Sequence, residues 1–236
     1  MTEQKIQMVF FDAAGTLFDV RGSVGAIYAR FAAKYDKHVD AEGLQHEFIR
    51  QFRTQPPMIV GNSLAGAERL LAERNWWRNL VLDVFARLGE FPQFEDYFVE
   101  IFEFFRRAEA WAVFEDVTTT LAALRSRGYR LGLISNFDAR LYDVLEGLRL
   151  RTYFDSIYLS TEVGAAKPEA EIFTFALQEN GFTAAQAMHI GDRWQEDVQG
   201  ARAAGLHAVW LNRNAAPISD PTVSQVTTLH QILELL

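Results

Sequence analysis

The sequence predicts an α/β protein in which a doubly wound parallel sheet carries an inserted α-helical cap domain. Three observations lead to this prediction. An apolar strand at 6–11 ends in Asp12. The segment from about 20 to 110 has almost entirely helical periodicity. After residue 112, short apolar strands alternate with helices of about 10–15 residues, which is typical of right-handed crossovers between parallel strands.

In the helical segment, apolar side chains recur at intervals of three and four residues. Ser23 is a predicted N-cap, Gly89 is placed to end a later helix, and Pro56-Pro57 with Gly61-Asn62-Ser63 predict a loop. The predicted helix faces are Val24, Ile27, Tyr28, Phe31 and Tyr35; Trp77, Leu80, Val81, Val84, Phe85 and Leu88; and Phe94, Tyr97, Phe98, Ile101, Phe102 and Phe105. Adjacent helical residues lie about 100° apart, so we expect Trp77 to pack within the cap and Trp76 against the sheet domain or over a groove.

The second half of the chain supplies the remaining elements of the sheet domain. The predicted strands are 129–134, 156–159, 187–190 and 207–211, and the predicted helices are 116–127, 138–148, 169–180 and 195–204. Gly128 and Gly181 are placed to end helices, and Thr183 with Gln186 resembles a capping box. Because the first strand belongs in the same sheet, we predict a core domain of 1–17 and 112–236 and a cap domain of 18–111.

The length and composition of the chain limit which binding partners and which kinds of site the protein can have. The 236 residues are enough for one large domain or two small ones. A net charge of −8 argues against nonspecific binding of nucleic acid or anionic membranes. The absence of cysteine excludes disulfides, thiol nucleophiles and thiolate metal sites. Apolar runs are too short for a membrane span, and the N-terminus lacks signal-peptide features. We expect a cytoplasmic monomer or homodimer that acts on a small molecule.

Polar residues follow the predicted strands where parallel strands would bring their carboxyl ends together. Asp12 follows the first strand, Ser135-Asn136 follow the second, and Lys167 precedes a proline at a helix start. Gly191-Asp192 and Asp197 follow the strand at 187–190. Each residue alone has an ordinary explanation as a turn, cap or surface residue. Their order and shared position favour a ligand site beyond the sheet, beneath the predicted cap.

Together these segments resemble the haloacid dehalogenase superfamily, in the subfamily whose helical cap follows the first motif. The matching segments are Phe11-Asp12-Ala13-Ala14-Gly15-Thr16-Leu17, Ile134-Ser135-Asn136, Lys167-Pro168, Gly191-Asp192 with Asp197, Val198-Gln199-Gly200-Ala201 and Ala204-Gly205. A closer similarity is to the branch related to the rhythmically expressed gene two protein. Its members also carry a non-acidic residue at the position of Ala14, and they have segments similar to Trp76-Trp77 and 134–138.

The resemblance implies a Mg²⁺-dependent hydrolase with a covalent intermediate. Asp12 would attack phosphorus and form an aspartyl-phosphate, which splits one difficult hydrolysis into two steps. Mg²⁺ prefers a few hard oxygen ligands. Asp12, the backbone carbonyl of Ala14 and Asp192 would supply them, and Asp197 would hold a metal-bound water or brace Lys167.

The resemblance also implies a substrate-binding set. Ser135 and the backbone around Asn136 would bind the phosphoryl oxygens, and Lys167 would offset the crowded negative charge. Gly15 and Thr16 would belong to the loop at the substrate, with Thr16 bracing it. Beyond the motifs, Arg53, together with Arg21 and Arg50, offers planar donors for a substrate carboxylate or phosphate; an ordinary solvated helix face is the alternative.

Ala14 departs from the pattern of related phosphatases. In those enzymes an aspartate at this position protonates the leaving oxygen and then activates water, a contribution of about 10²–10⁴ in rate. One interpretation is a phosphatase with a weakened or relocated acid–base group, suited to acyl or aryl phosphates whose leaving group needs little protonation. Asp19, His38 and His46 are the candidate replacements.

Three other functions remain open. A 2-haloacid dehalogenase needs no proton for its leaving halide, but such enzymes dispense with the metal and have a fourth motif unlike Gly191-Asp192. A phosphonate-cleaving hydrolase needs a cap lysine, for which only Lys34 and Lys37 are candidates. The fold could also serve as a catalytically weak phosphate-ligand binding or interaction protein. We favour the phosphatase because both Asp192 and Asp197 are retained.

Overall fold

The computed structural model describes residues 5–60, 64, 66–89, 91–215, 217 and 220–236. A six-stranded sheet organises the chain, and every neighbouring pair in it is parallel. Its strands, in the order in which they lie side by side, are β5 (Ser156–Leu159), β4 (Arg130–Ser135), β1 (Met8–Phe11), β6 (Ala187–Gly191), β7 (His207–Leu211) and β8 (Ser224–Val226). The predicted strands at 156–159 and 207–211 have the predicted bounds.

An apolar core covers each face of the sheet, and this explains why β1 is apolar along its whole length. Met8 and Phe10 point to a core that includes Phe173. Val9 and Phe11 point to the opposite core. Alternate residues of a strand face opposite sides, so a strand buried on both sides is apolar throughout. The predicted doubly wound parallel sheet is confirmed.

A short antiparallel ribbon connects the sheet to the helical segment. It pairs β2 (Phe18–Val20) with β3 (Trp111–Val113), where the chain leaves the sheet region and where it returns. The ribbon and β8 were not predicted, because three-residue strands are too short to show a period of two. The boundaries 17/18 and 111/112 fall beside the ribbon, and the division into core and cap at these residues stays a prediction.

Four helices form most of the inserted segment: α1 (Val24–Ala32), α2 (Ala41–Thr54), α3 (Ala67–Phe85) and α4 (Phe94–Phe104). Ser23 caps α1, since its Oγ accepts a bond of 3.1 Å from the amide of Ala26. The helix α3 ends at Phe85, one turn earlier than predicted, and Leu88 is exposed. The predicted loop residues Gly61-Asn62-Ser63 lie outside the described residues. One continuous apolar core joins these helices to β1.

The later helices are α5 (Val117–Ser126), α6 (Arg140–Gly147), α7 (Ser160–Val163), α8 (Ala170–Asn180) and α9 (Gly200–Ala203). Thr183 and Gln186 form the predicted capping box. The helix predicted at 195–204 begins as a π-helix at Trp194–Gln199 and continues as α9. A 3₁₀ helix at Leu229–Glu234, which the sequence analysis did not predict, packs against α5. No helix in the described part of the chain is both long and apolar enough to cross a membrane.

Candidate active site

The carboxyl ends of the central strands converge on one cluster of polar side chains. Asp12 follows β1, and its amide donates to the carbonyl of Ile190 in β6 over 2.9 Å. Ser135 at the end of β4 donates to Oδ1 of Asp12 over 3.3 Å. Asp192 follows β6. The parallel sheet therefore brings together residues that lie more than 100 positions apart in sequence.

Lys167 joins two of the carboxylates. Its Nζ lies 2.6 Å from Oδ1 of Asp12 and 2.5 Å from Oδ1 of Asp197, and all three side chains are buried. Asn136 fixes the lysine backbone with two bonds of 2.8 Å, one donated by its own Nδ2 and one accepted by its Oδ1. The peptide bond between Lys167 and Pro168 is cis. The structure thus gives Asn136 a side-chain contact that the sequence analysis did not foresee.

One carboxylate oxygen from each of Asp12, Asp192 and Asp197 lies within 4.8 Å of the other two. Thr16 donates to Oδ1 of Asp192 over 3.3 Å. Gly15 passes so close that a Cβ there would lie 2.6 Å from Oδ2 of Asp192. The loop after β1 therefore packs directly on the carboxylate of Asp192, and only glycine leaves enough room at position 15.

The electrostatics of the cluster reflect three acids around one cation. Burial, together with the charges of Asp12 and Asp197, raises the pKa of Asp192 to about 7. Burial also raises the pKa of Asp12, against the opposing pull of Lys167. Burial would raise the pKa of Asp197 as well, but Lys167 and His189 hold it well below its usual range. Negative charge thus exceeds positive charge at the cluster, a situation that a bound cation relieves.

His189 is a site neighbour that sequence analysis missed. It lies in β6, fully buried, and its Nε2 is 3.0 Å from Oδ1 of Asp197. Burial lowers the pKa of this imidazole, which favours the neutral form. Every residue of β6 is buried, and no signal in the sequence indicated which polar group His189 would contact.

A cavity of about 560 Å³ opens between the cluster and the cap helices. Asp12, Ala14, Lys167 and Asp192 line its floor. Ala14 thus faces the same space as the carboxylates, although it brings no acidic group to it. Of the residues considered as acid–base replacements, Asp19 lines the cavity. His38 and His46 are exposed and do not line it.

The arginines predicted to read the substrate are not at the cavity. Arg53, in the last turn of α2, is exposed and lines no part of it. Arg50 pairs with Glu47 on the same exposed helix face. Arg21 donates to the carbonyl of Trp111 in the ribbon. The periodicity of α2 placed its arginines on the polar face, and that face turns to solvent.

The two adjacent tryptophans make different polar contacts. Trp77 donates its indole N–H to Oδ2 of Asp138 in the loop after β4, over 2.6 Å. Trp76 instead donates to the carbonyl of Pro56 within the helical segment. Asp138 is fully buried and pairs with Arg140, whose Nη2 lies 2.7 Å away. The α3 helix therefore contacts the sheet side of the molecule through Trp77, which also stacks on Phe52 of α2 as expected. Trp76 contacts Phe52 and Pro56 of the helical segment, so the expectation of a place against the sheet domain was wrong for Trp76.

With this fold and this cluster, the chain belongs to the haloacid dehalogenase-like hydrolase family, whose model matches residues 6–205. The resemblance inferred from the motifs is confirmed. The chain is 33% identical to haloacid dehalogenase-like hydrolase domain-containing protein 3 of Mus musculus over 229 residues. The aligned region covers 96% of this chain and 89% of the relative.

Solved structures of two different activities share the fold. A HAD phosphatase from Thermococcus onnurineus has a TM-score of 0.68 at 23% identity, over 98% of this chain and 97% of the other. A 2-haloacid dehalogenase from Pseudomonas syringae has a TM-score of 0.66 at 24% identity, again over 98% and 97% of the two chains. The fold is shared by a phosphatase and a dehalogenase, so only the residues of the site can distinguish these two activities in this protein.

Proposed function

We propose that this protein is a Mg²⁺-dependent phosphatase of small phosphorylated metabolites, with Asp12 as its nucleophile. One observation carries the proposal: the carboxylates of Asp12, Asp192 and Asp197 lie within 4.8 Å of one another beside a single buried lysine. A dehalogenase that works without a metal gains nothing from three clustered acids, since each adds repulsion in a buried site. A site that binds a divalent cation does gain from them.

The residues present fit Mg²⁺. The donors are hard carboxylate oxygens, and burial together with the neighbouring carboxylates raises the pKa values of Asp12 and Asp192 although Lys167 lies beside them. Asp12, the carbonyl of Ala14 and Asp192 would hold the ion, with Asp197 close by. When bound, Mg²⁺ would offset the charge of the phosphoryl oxygens and orient them.

In the first step, a carboxylate oxygen of Asp12 attacks phosphorus, and the bond from phosphorus to the leaving oxygen breaks. Lys167 favours the ionised form of Asp12 and opposes the effect of burial, because its Nζ lies 2.6 Å from the carboxylate. Ser135, which lies 3.3 Å from Asp12, donates to the phosphoryl oxygens as they approach. Asn136 acts as a positioning residue, because it holds the backbone of Lys167.

In the second step, water attacks the phosphorus of the aspartyl-phosphate and releases Asp12. The position where related phosphatases carry an acid–base aspartate is Ala14, so neither the first departure nor this attack receives help from that side chain. Asp19 is the candidate replacement that lines the cavity. We expect the second step to be slow and the phosphoenzyme to accumulate.

The cap lysines give no support to a phosphonate-cleaving mechanism. Lys34 pairs with Glu100 over 2.5 Å, and Lys37 donates to the carbonyl of Leu88. Neither residue lines the cavity. A Schiff base requires a lysine amine at the substrate carbonyl, and these two amines are engaged on the outer surface of the cap.

Phosphate release from a broad panel of phosphate esters and acetyl phosphate tests the proposal, with Mg²⁺ or with EDTA. We expect turnover that requires Mg²⁺ and that falls at least about 10³-fold in Asp12→Asn, because the nucleophile is lost. Asp143→Asn is the matched control, since Asp143 is an exposed aspartate on α6. Equal activity in wild type and Asp12→Asn, or chloride release from 2-chloropropionate in EDTA, would contradict the proposal.

Metal binding is measured separately from turnover. A ligand that binds only the folded state raises the melting temperature according to its concentration and affinity. We expect Mg²⁺ to raise Tm in the wild type and in Asp143→Asn, and to raise it much less in Asp192→Asn. The same shift in all three proteins would remove the proposed metal site.

A further inference from the structure

The roof of the cavity above Asp12 is aromatic. Tyr28 of α1, Phe48 and Phe52 of α2 and Trp77 of α3 all line it. Each ring contacts the next one in space. The Phe48 and Phe52 centroids are 5.5 Å apart, and the Phe52 and Trp77 centroids are 6.2 Å apart with nearly parallel planes. Tyr28 meets Phe48 edge-on at 5.9 Å. Three helices thus present one connected aromatic wall to the ligand space.

A second set of rings continues this wall toward the sheet. Phe105, Trp111 of β3 and Phe137 after β4 also line the cavity. Trp111 lies 5.9 Å from Phe105 and 5.8 Å from Phe137, and Tyr28 links the two sets at 6.2 Å from Phe105. These rings give the path from the carboxylate cluster into the cap an apolar side that is suited to a flat ring, which packs edge-on or offset against such side chains.

The charges around the cavity disfavour an anionic substituent on the substrate. Each cation that lines it within the described residues already faces a carboxylate: Lys167 faces Asp12, Arg140 faces Asp138 and Arg193 faces Glu196. Asp19 and Glu196 add negative charge to the lining. A carboxylate on the substrate would lose its water without gaining a partner.

Ala14 limits the basicity of the leaving group, and this argument does not depend on the aromatic lining of the cavity. Without an acid at this position, the departing oxygen must accept the electron pair of its bond to phosphorus without prior protonation. A phenolate does so readily, since phenols of the tyrosine type have a pKa of about 10. An aliphatic alkoxide is far more basic and depends on a proton that the Ala14 side chain cannot deliver.

We infer that the substrate is an aryl phosphate monoester with no charged group beyond its phosphate, and this inference rests on the proposed function. The ring lies between the aromatic walls while the phosphoryl group meets Asp12. The bond from Asp12 oxygen to phosphorus forms, the bond from phosphorus to the phenolic oxygen breaks, and the electron pair leaves on the phenolate. Water then attacks phosphorus, and the bond from phosphorus to the Asp12 oxygen breaks, with its electron pair returning to the carboxylate. Phosphate departs with one water proton, and the other proton neutralises the phenolate.

A matched set of phosphate esters separates the two parts of this inference. Phenyl and benzyl phosphate both carry a ring, but only phenyl phosphate has a phenolate as its leaving group. We expect kcat/KM for phenyl phosphate to exceed that for benzyl phosphate by about 100-fold or more, which corresponds to the acid catalysis that is missing. We expect 4-carboxyphenyl phosphate to be about 10-fold poorer than phenyl phosphate, although its leaving group is the better one.

Binding is tested without turnover by competition with two unreactive phosphonates in the presence of Mg²⁺. We expect phenylphosphonate to inhibit with a Ki at least about 10-fold lower than methylphosphonate, because only the former fills the aromatic walls. Phe52→Leu should raise the Ki of phenylphosphonate about 3-fold or more. Phe175→Leu, at an exposed phenylalanine of α8 outside the cavity, should leave it unchanged.

The outcomes distinguish this inference from the proposed function. If benzyl, 4-carboxyphenyl or aliphatic phosphates are hydrolysed as efficiently as phenyl phosphate, the aryl inference is overturned and the phosphatase remains. Equal inhibition by the two phosphonates overturns it as well. If no phosphate is released from any ester or from acetyl phosphate, the proposed function fails and the inference fails with it.

Discussion

The Nζ atom of Lys167 lies 2.6 Å from Oδ1 of Asp12, and both groups are buried. The two residues stand 155 positions apart in sequence, at the end of β1 and just before α8. Lys167 also contacts Asp197 and so stands between two carboxylates. Burial alone would lower the pKa of this amine, but the two acids raise it well above its ordinary value. The cluster therefore depends on a lysine that stays charged.

We expect Lys167→Gln to lower the free energy of unfolding by about 3 kcal/mol or more, because it leaves buried carboxylates without their cation. Urea unfolding at pH 7 without Mg²⁺ measures the loss. Lys34→Gln is the control, since its ion pair with Glu100 is exposed and should contribute less than about 1 kcal/mol. A loss at Lys167 as small as that at Lys34 would contradict the electrostatic account of the cluster.

Gly15 offers a test of the close approach to Asp192. Gly15 and Gly22 both have positive φ, +92° and +85°. A Cβ at Gly22 meets nothing within 4 Å, whereas a Cβ at Gly15 would lie 2.6 Å from Asp192. Gly22→Ala should carry only the backbone penalty of about 1–2 kcal/mol.

We therefore expect Gly15→Ala to lower the free energy of unfolding by about 1 kcal/mol more than Gly22→Ala does, since the new Cβ and the Asp192 carboxylate must move apart. Because the same clash displaces Asp192, the Mg²⁺-induced rise in Tm should also shrink in Gly15→Ala and persist in Gly22→Ala. Thermal unfolding with and without Mg²⁺ measures both effects. Identical behaviour of the two variants would show that the Asp192 contact does not matter.

Ala14 is the position where activity should be recoverable. Ala14 lines the cavity, so an aspartate placed there faces the reacting groups. We expect Ala14→Asp to raise kcat/KM for alkyl phosphates by about 10² or more and to raise it far less for phenyl phosphate, which needs no proton. Ala14→Asn has nearly the same shape without the acid and should show no gain. Equal gains for Asp and Asn would assign the effect to shape rather than to proton transfer.

Asp138 gives the protein a defined dependence on pH. Burial would raise the pKa of this carboxyl, but its bonds with Arg140 hold it below its usual range. A carboxyl with a lowered pKa in the folded state contributes stability above its unfolded pKa of about 3.9, and the contribution disappears as the pH falls through the folded value. Asp138→Asn removes this contribution and leaves Arg140 buried without a counter-ion.

At pH 7 we expect Asp138→Asn to be less stable than the wild type by about 3 kcal/mol. The difference should shrink as the pH falls below about 4, because the wild type loses the same interaction on protonation. Urea unfolding at pH 7, 5 and 3.5 measures the two curves, with Asp143→Asn as the control for an exposed aspartate. A difference that stays constant over this range would rule out the ionised pair as its source.

The sequence was sufficient for most of the sheet and for the members of the cluster. The apolar run before Asp12 and the strand before Asp192 predicted where both carboxylates would meet, because parallel strands end at one edge. The sequence did not reveal the ribbon at β2 and β3, since three residues on each side carry no measurable period. It also did not reveal His189, whose burial was predictable and whose partner was not.

By itself the sequence determined which residues are buried in the strands, which helix faces are apolar, and which acids and lysine stand after the strands. These properties follow from local periodicity and from the geometry of a parallel sheet. Only the tertiary structure decided that Trp77 reaches Asp138, that Arg53 turns to solvent and that aromatic rings from three helices line the cavity. Those outcomes depend on how each cap helix is rotated and placed over the sheet, which is set by packing between distant segments.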